Sequence, residues 1–226
     1  MLTSSGQADN IAEGTVLPEN AEAAIAAGAY TNVPLITGMT ADESKMFMQS
    51  SYQVNDAQRF LMMYDFDPEN PTAPGAPTLA DILKPEVTVD AYNTTAAATT
   101  AATYGALANQ ALSRLWPRQP NVYAYHWRWS QGPEPWKTLY GSGHGMDVPF
   151  MFGNFGKGLF SVNYTAANAG GREALSEAMM RSVGAFMRTG DPNHPALGTV
   201  WAPWTPTAPK RLVFDATLTD KQIAME

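Results

Sequence analysis

Glu43, in Thr40-Ala41-Asp42-Glu43-Ser44, and His144, in Gly141-Ser142-Gly143-His144-Gly145-Met146-Asp147, are the residues of this 226-residue chain whose types and settings could do chemistry together. Each stands in a loop close to glycine and next to an apolar run, and they lie 144 − 43 = 101 residues apart. A carboxylate that holds one imidazole nitrogen fixes the tautomer and steadies the cationic ring. The other nitrogen can then take a proton from a hydroxyl nucleophile. In one of the chain orders in which such an acid and base occur, the nucleophile comes earlier still, on a Gly-x-Ser-x-Gly turn. No such turn occurs here, so the chain reads as two parts of a catalytic machine without the part that attacks the substrate.

Plainer readings compete. A glutamate in an Asp-Glu pair after a strand is ordinarily a solvated loop carboxylate, and it is the glycine-flanked histidine that lifts Glu43 above that background. Ser142 is a poor substitute nucleophile, because it would need a tight turn to aim its oxygen at an imidazole two residues away. His126 lies inside an aromatic strand and suits a hydrogen-bonded core or surface role. His194, beside Pro192 and Pro195, reads as an exposed turn residue.

The elements that would have to position the pair follow from turn signals. Ala21 to Ala29 reads as a short helix ended near Gly28, and Val33-Pro34-Leu35-Ile36-Thr37-Gly38 as a strand buried on both faces of a parallel sheet. Lys45 to Tyr64 has Met, Phe and Tyr at helical spacing, Pro68 to Pro77 is a loop, and Thr78 to Leu83 adds one helical turn. A long helix runs from about Val89 to Trp116 and stops ahead of Pro117. Asn121 to Trp129 carries the strongest strand signal, aromatic and alternating, and Ser130 to Gly143 is the loop that delivers His144. Val148 to Gly153 is an apolar continuation. Arg172 to Arg188 is an amphipathic helix with Leu175, Met179, Val183 and Phe186 on one stripe, and Arg211 to Phe214 reads as a terminal strand.

Composition excludes several classes of function. A formal charge of −7 and only 14 Lys and Arg argue against binding to phosphate backbones, so nucleic acid is not an expected partner. The chain has no cysteine, which removes disulfides and thiolate chemistry, and its three histidines offer no metal-ligand spacing. No metal or cofactor is called for. The longest uncharged stretch, between Asp90 and Arg114, is mostly Ala, Thr, Asn and Gly and makes a poor bilayer span. The opening Met1 to Gly6 lacks the basic flank and apolar core of a signal peptide, and the compartment stays open.

Taken in order, Val33 to Gly38 with Asp42-Glu43, Gly143-His144-Gly145-Met146-Asp147 with Phe152-Gly153, and Phe186 to Asn193 with Trp204 resemble the type-B carboxylesterase and cholinesterase family over nearly the whole chain. Gly14-Thr15-Val16-Leu17-Pro18 is similar to a turn of that family as well. The resemblance implies an α/β fold over residues 1–226, the C-terminal portion of an α/β-hydrolase. Such a portion holds the last parallel strands of the central sheet with flanking helices, and the half that bears the nucleophile is absent. It implies Glu43 as the triad acid, His144 as the base and Asp147 as a supporting carboxylate. It also implies a small-molecule ester as substrate, and a serine and oxyanion hole in an upstream segment or a partner chain. Ser44 departs from the family's usual glycine after the acid. Trp127, Trp129, Trp136, Phe152 and Phe155 fall in segments that line the family's pocket, although each suits core packing equally. A non-catalytic binding or adhesion module of the same fold, and an orphan fragment, are the rival readings. A strand such as Val33 to Ile36 without one sheet neighbour would also favour self-association.

Overall fold

The computed structural model describes residues 14, 18–48, 52, 56–119 and 121–226. Residues 15–17 of the Gly14 to Pro18 turn, and residues 49–51 and 53–55 of the expected helix from Lys45 to Tyr64, lie outside this set.

Four strands, β1 (Leu35–Thr40), β2 (Val122–Trp127), β3 (Leu212–Ala216) and β4 (Lys221–Met225), form an open sheet in the order β1-β2-β3-β4. The first three run parallel and β4 returns antiparallel. This is a mixed α/β fold. Every side chain of β2 but that of His126 is buried, as befits a strand with neighbours on both edges and cover on both faces. On one face Leu112, Val122, Ala124 and Trp204 make a small apolar cluster. The main core holds Tyr123, Tyr125, Trp127, Trp129, Phe150, Leu175, Met179 and Phe214, among others.

Among the described residues β1 pairs with β2 alone, as expected of a strand without one sheet neighbour. Its burial departs from expectation: Gly38 is exposed and Leu35, Ile36, Thr37 and Met39 are only half-buried, so it is not buried on both faces. It also starts two residues late. Pro34 has no N–H to give a ladder, and the first bond runs from Leu35 N–H to Asn121 O at 2.9 Å. β4 lay outside the sequence reading. It is closed by a short turn in which Thr217 N–H donates to Asp220 O (2.8 Å) and the Thr217 hydroxyl oxygen accepts from Asp220 N–H (3.0 Å). Its exposed Lys221, Gln222 and Ala224 suit an outer strand that discourages further pairing.

The helices follow local chemistry closely. Ala21–Ala27 begins where the Asn20 side chain accepts from Ala23 N–H (2.9 Å) and ends at Gly28, whose φ of 73° is the left-handed turn that glycine makes at least cost. The long helix is three pieces in line: Val89–Thr99, a π-helical stretch at Thr100–Gly105, and Ala106–Leu115. Ser44 reaches it there, its hydroxyl donating to Ala96 O at 2.7 Å, the kind of intrusion that accompanies a widened turn. The expected helix from Lys45 to Tyr64 is two described pieces, a 3₁₀ turn at Glu43–Phe47 and an α-helix at Asp56–Asp65. The stripe of the amphipathic segment is confirmed on Ala169–Thr189, which packs on β3 and buries Leu175 and Met179 fully.

Candidate active site

The parallel register sets Thr40 beside Trp127, so the loops leaving β1 and β2 emerge at the same end of the sheet. The first carries Glu43 at the start of the Glu43–Phe47 turn. Both of its carboxylate oxygens are engaged: Oε1 accepts from Thr40 N–H at 2.9 Å, and Oε2 lies 2.7 Å from Nδ1 of His144. An ionised carboxylate at that distance holds the proton on Nδ1 and leaves Nε2 as the basic nitrogen. The Glu43 side chain is 10% exposed and that of His144 56% exposed. The acid is therefore dry and the ring stands half in the open, with no hydrogen-bond partner for Nε2 among the described residues. Phe47 covers part of the ring, centroids 5.1 Å apart, and Tyr104 stacks behind Phe47. Burial, and then the charge of Glu43, hold the Tyr104 phenol above its ordinary pKa.

Asp147 is buried three residues further along and is not bonded to the imidazole among the described residues. Its Oδ2 accepts from the Tyr125 hydroxyl at 2.6 Å. Burial pushes the Asp147 carboxyl above the usual carboxylate range, against the opposing help of that hydrogen bond. Tyr125 is in turn raised by burial and by the charge of Asp147. This tyrosine escaped the sequence reading, though a signal existed. Gly38 is its partner in register, and a β-carbon on Gly38 would stand 2.3 Å from the tyrosine ring, so glycine is what lets the ring lie across β1.

Ser142 is 2% exposed and donates its hydroxyl to Trp129 O at 3.0 Å, which turns its oxygen away from any role as nucleophile. Ser44, in place of glycine, sits without positive φ and leaves both oxygens of Glu43 free for their partners. His126, on β2, accepts from Arg128 Nε–H at 3.2 Å, and burial together with Arg128 and Arg211 pushes it down to about 4. His194 differs from expectation: it is half-buried, with Nε2 3.2 Å from both Ala178 O and the Ser182 hydroxyl. Trp127, Trp129 and Trp136 are fully buried core residues, Phe155 packs on Phe150 and Tyr164, and Phe152 is 75% exposed. An open apolar groove is lined instead by Phe60, Met63, Tyr64, Leu159 and Lys157, whose ammonium sits 4.7 Å over the Tyr64 ring. Among the described residues no group of three or more His, Asp or Glu side chains could hold a metal, and no helix is long and apolar enough to cross a membrane.

The model of the carboxylesterase family matches residues 7–225. Over 100 residues, 43% of this chain and 12% of the relative, the chain is 34% identical to an acetylcholinesterase of Gallus gallus. Its fold is similar to that of a carboxylesterase of Geobacillus stearothermophilus, with a TM-score of 0.58, 21% identity, and 95% of this chain and 43% of that one covered. It is also similar to a PNB esterase, with a TM-score of 0.59, 22% identity, and 92% and 39% covered. The chain thus spans less than half the length of these structures and about an eighth of the curated relative. By the match over residues 7–225, this chain belongs to the carboxylesterase family.

Proposed function

We propose that this chain supplies the acid and the base of a serine carboxylic ester hydrolase, with the nucleophilic serine and oxyanion hole coming from residues outside these 226. The observation that carries the reading is the 2.7 Å contact between buried Glu43 and half-exposed His144 at the ends of parallel strands. Nε2 takes the proton of a serine hydroxyl as that oxygen attacks the ester carbonyl. The resulting imidazolium returns the proton to the departing alcohol, leaving an acyl-serine. Water then repeats the sequence, with Nε2 as base and serine as leaving group. Glu43 keeps the ring in the right tautomer and stabilises its cation throughout. Asp147 supports the loop without touching the imidazole, and the substrate is a small ester. Retention of both acid and base in register favours this role over a non-catalytic binding module.

Among the described residues one side of β1 carries no strand, which supports the same reading. An apolar strand with one neighbour invites another strand, from the same longer protein or from a second chain. The isolated chain is therefore expected to associate with itself or with that segment. A monodisperse monomer by light scattering at about 50 μM, in the range where weak self-association shows, with slow amide exchange from Val33 to Ile36, would contradict this.

The functional test is hydrolysis of nitrophenyl esters. The 226-residue chain alone stays at background, since base and acid do not replace nucleophile and oxyanion donors. Joined to an upstream segment that carries a Gly-x-Ser-x-Gly turn, it turns over, and His144→Ala abolishes the rate. Turnover by the chain alone that disappears in His144→Ala would overturn the proposal.

A further inference from the structure

The Glu43–His144 contact joins two loops that are 101 residues apart in sequence, and its length depends on how those loops are held. The imidazole is half-exposed, and its only hydrogen bond among the described residues is the one to Glu43. The strands fix the loop bases: Ala41 N–H donates to Trp127 O at 3.0 Å. Beyond Trp127 the second chain segment wanders through residues 128–140 before it returns to the site, so the strand pairing alone does not set the place of residues 141–144.

We infer that Asp42 is a positioning residue, which clamps the histidine loop onto the acid loop so that His144 meets Glu43; the inference rests on the acid and base roles proposed above. Asp42 engages Ser142 twice. Its backbone N–H donates to Ser142 O at 2.9 Å, and its Oδ2 accepts from Ser142 N–H at 2.9 Å. This closed pair of bonds lies one residue before the acid and two before the histidine. The other carboxylate oxygen is 3.3 Å from the buried Lys45 ammonium, which offsets its charge and fixes its rotation. Gly141 makes the approach possible. It has φ 53° and ψ −125°, and a β-carbon there would stand 2.2 Å from Oδ2 of Asp42 and 3.2 Å from Nζ of Lys45. Three features with no common cause in core packing therefore converge on one contact: a buried lysine, a positive-φ glycine and a reciprocal pair of hydrogen bonds, one through the backbone and one through the Asp42 side chain.

Asp42 touches neither the imidazole nor any reacting atom, so its effect is transmitted through the Ser142 backbone. A merely structural carboxylate would change stability and leave the imidazole as it was. The clamp predicts a change in the histidine itself.

The test is ¹H–¹⁵N NMR of the histidine-labelled 226-residue chain at neutral pH. The wild type shows His144 as the Nδ1–H tautomer with a slowly exchanging Nδ1–H proton. Asp42→Ala raises the exchange rate of that proton by about 10- to 100-fold, the size of a lost hydrogen bond to a charged group. It also mixes the tautomers while amide dispersion is retained. An unchanged Nδ1–H proton in well-folded Asp42→Ala overturns the inference. If Asp42→Ala does not fold, the wild type decides through the Ser142 amide. Protection from exchange supports the clamp, and exchange at the rate of an open amide, with the His144 proton still protected, overturns it. Loss of the proton in Glu43→Gln with no effect of Asp42→Ala would sink the clamp alone, whereas no effect of Glu43→Gln would sink the acid–base reading beneath it.

Discussion

Two carboxylates lie near one histidine in this molecule and are spent differently. Glu43, on the acid loop, gives one oxygen to a backbone N–H and the other to the imidazole. Asp147, on the histidine loop itself, gives its oxygen to a phenol at 2.6 Å and is raised above the usual carboxylate range by burial. Asp147 is much the closer in sequence. The nearer residue shares a loop with the histidine and bonds to Tyr125 on β2, while the residue 101 positions away arrives on the loop after a separate strand and meets the ring head-on. A carboxylate on a loop of its own can meet the imidazole from outside the histidine loop, with the contact between the two loops set by the bonds between Asp42 and Ser142.

The comparison can be broken by exchanging charge for amide at each site. In a protein completed by its serine-bearing segment, Glu43→Gln should lower turnover by about 10⁴-fold with substrate binding largely kept, as when a triad acid is replaced in other serine hydrolases. Asp147→Asn should cost about 10- to 100-fold, the range for a residue that acts through another. Equal losses, or a greater loss in Asp147→Asn, would reverse the assignment of the acid. Tyr125→Phe removes only the phenol that Asp147 holds and should cost at most about 10-fold. Gly38→Val should reproduce that small kinetic effect without touching Glu43 and add about 1–3 kcal/mol of destabilisation, because its β-carbon meets the Tyr125 ring. Urea unfolding would measure the second part, and a fully stable Gly38→Val with normal kinetics would show that the close packing there is unimportant.

A pH experiment sharpens the contrast. For a carboxyl whose folded pKa is raised, the unfolded state gives up its proton first, so stability is lost as pH rises above the unfolded value of about 3.8 and through the folded one. Asp147→Asn removes that loss. Relative to wild type it should therefore be more stable at pH 7 than at pH 4, by urea denaturation at both values. A variant that loses ground at the higher pH would mean that the charge on Asp147 is better held than its burial implies.

Much of the site was legible before any coordinates. Glycine and an apolar run marked both loops, and parallel strands were expected to present them at one edge. That is the arrangement found for Leu35–Thr40 and Val122–Trp127. What escaped were features that depend on partners distant in sequence. Tyr125 looked like any other aromatic of its strand until the register set it beside Gly38. Asp42 read as half of an acidic pair, because nothing local shows that Ser142 will fold back onto it. The half-exposed faces of β1 were hidden for a similar reason: an apolar run reports that burial is wanted and is silent on what provides it. β4 was missed because a polar, alternating outer strand looks much like a loop.

The most direct test is the tautomer of His144 in the isolated chain, read by ¹⁵N chemical shifts in the wild type, Glu43→Gln and Asp147→Asn. If Glu43 is the partner of the base, the wild type and Asp147→Asn both hold the proton on Nδ1, and Glu43→Gln loses that preference. Loss of the Nδ1–H tautomer in Asp147→Asn, with its retention in Glu43→Gln, would contradict the account.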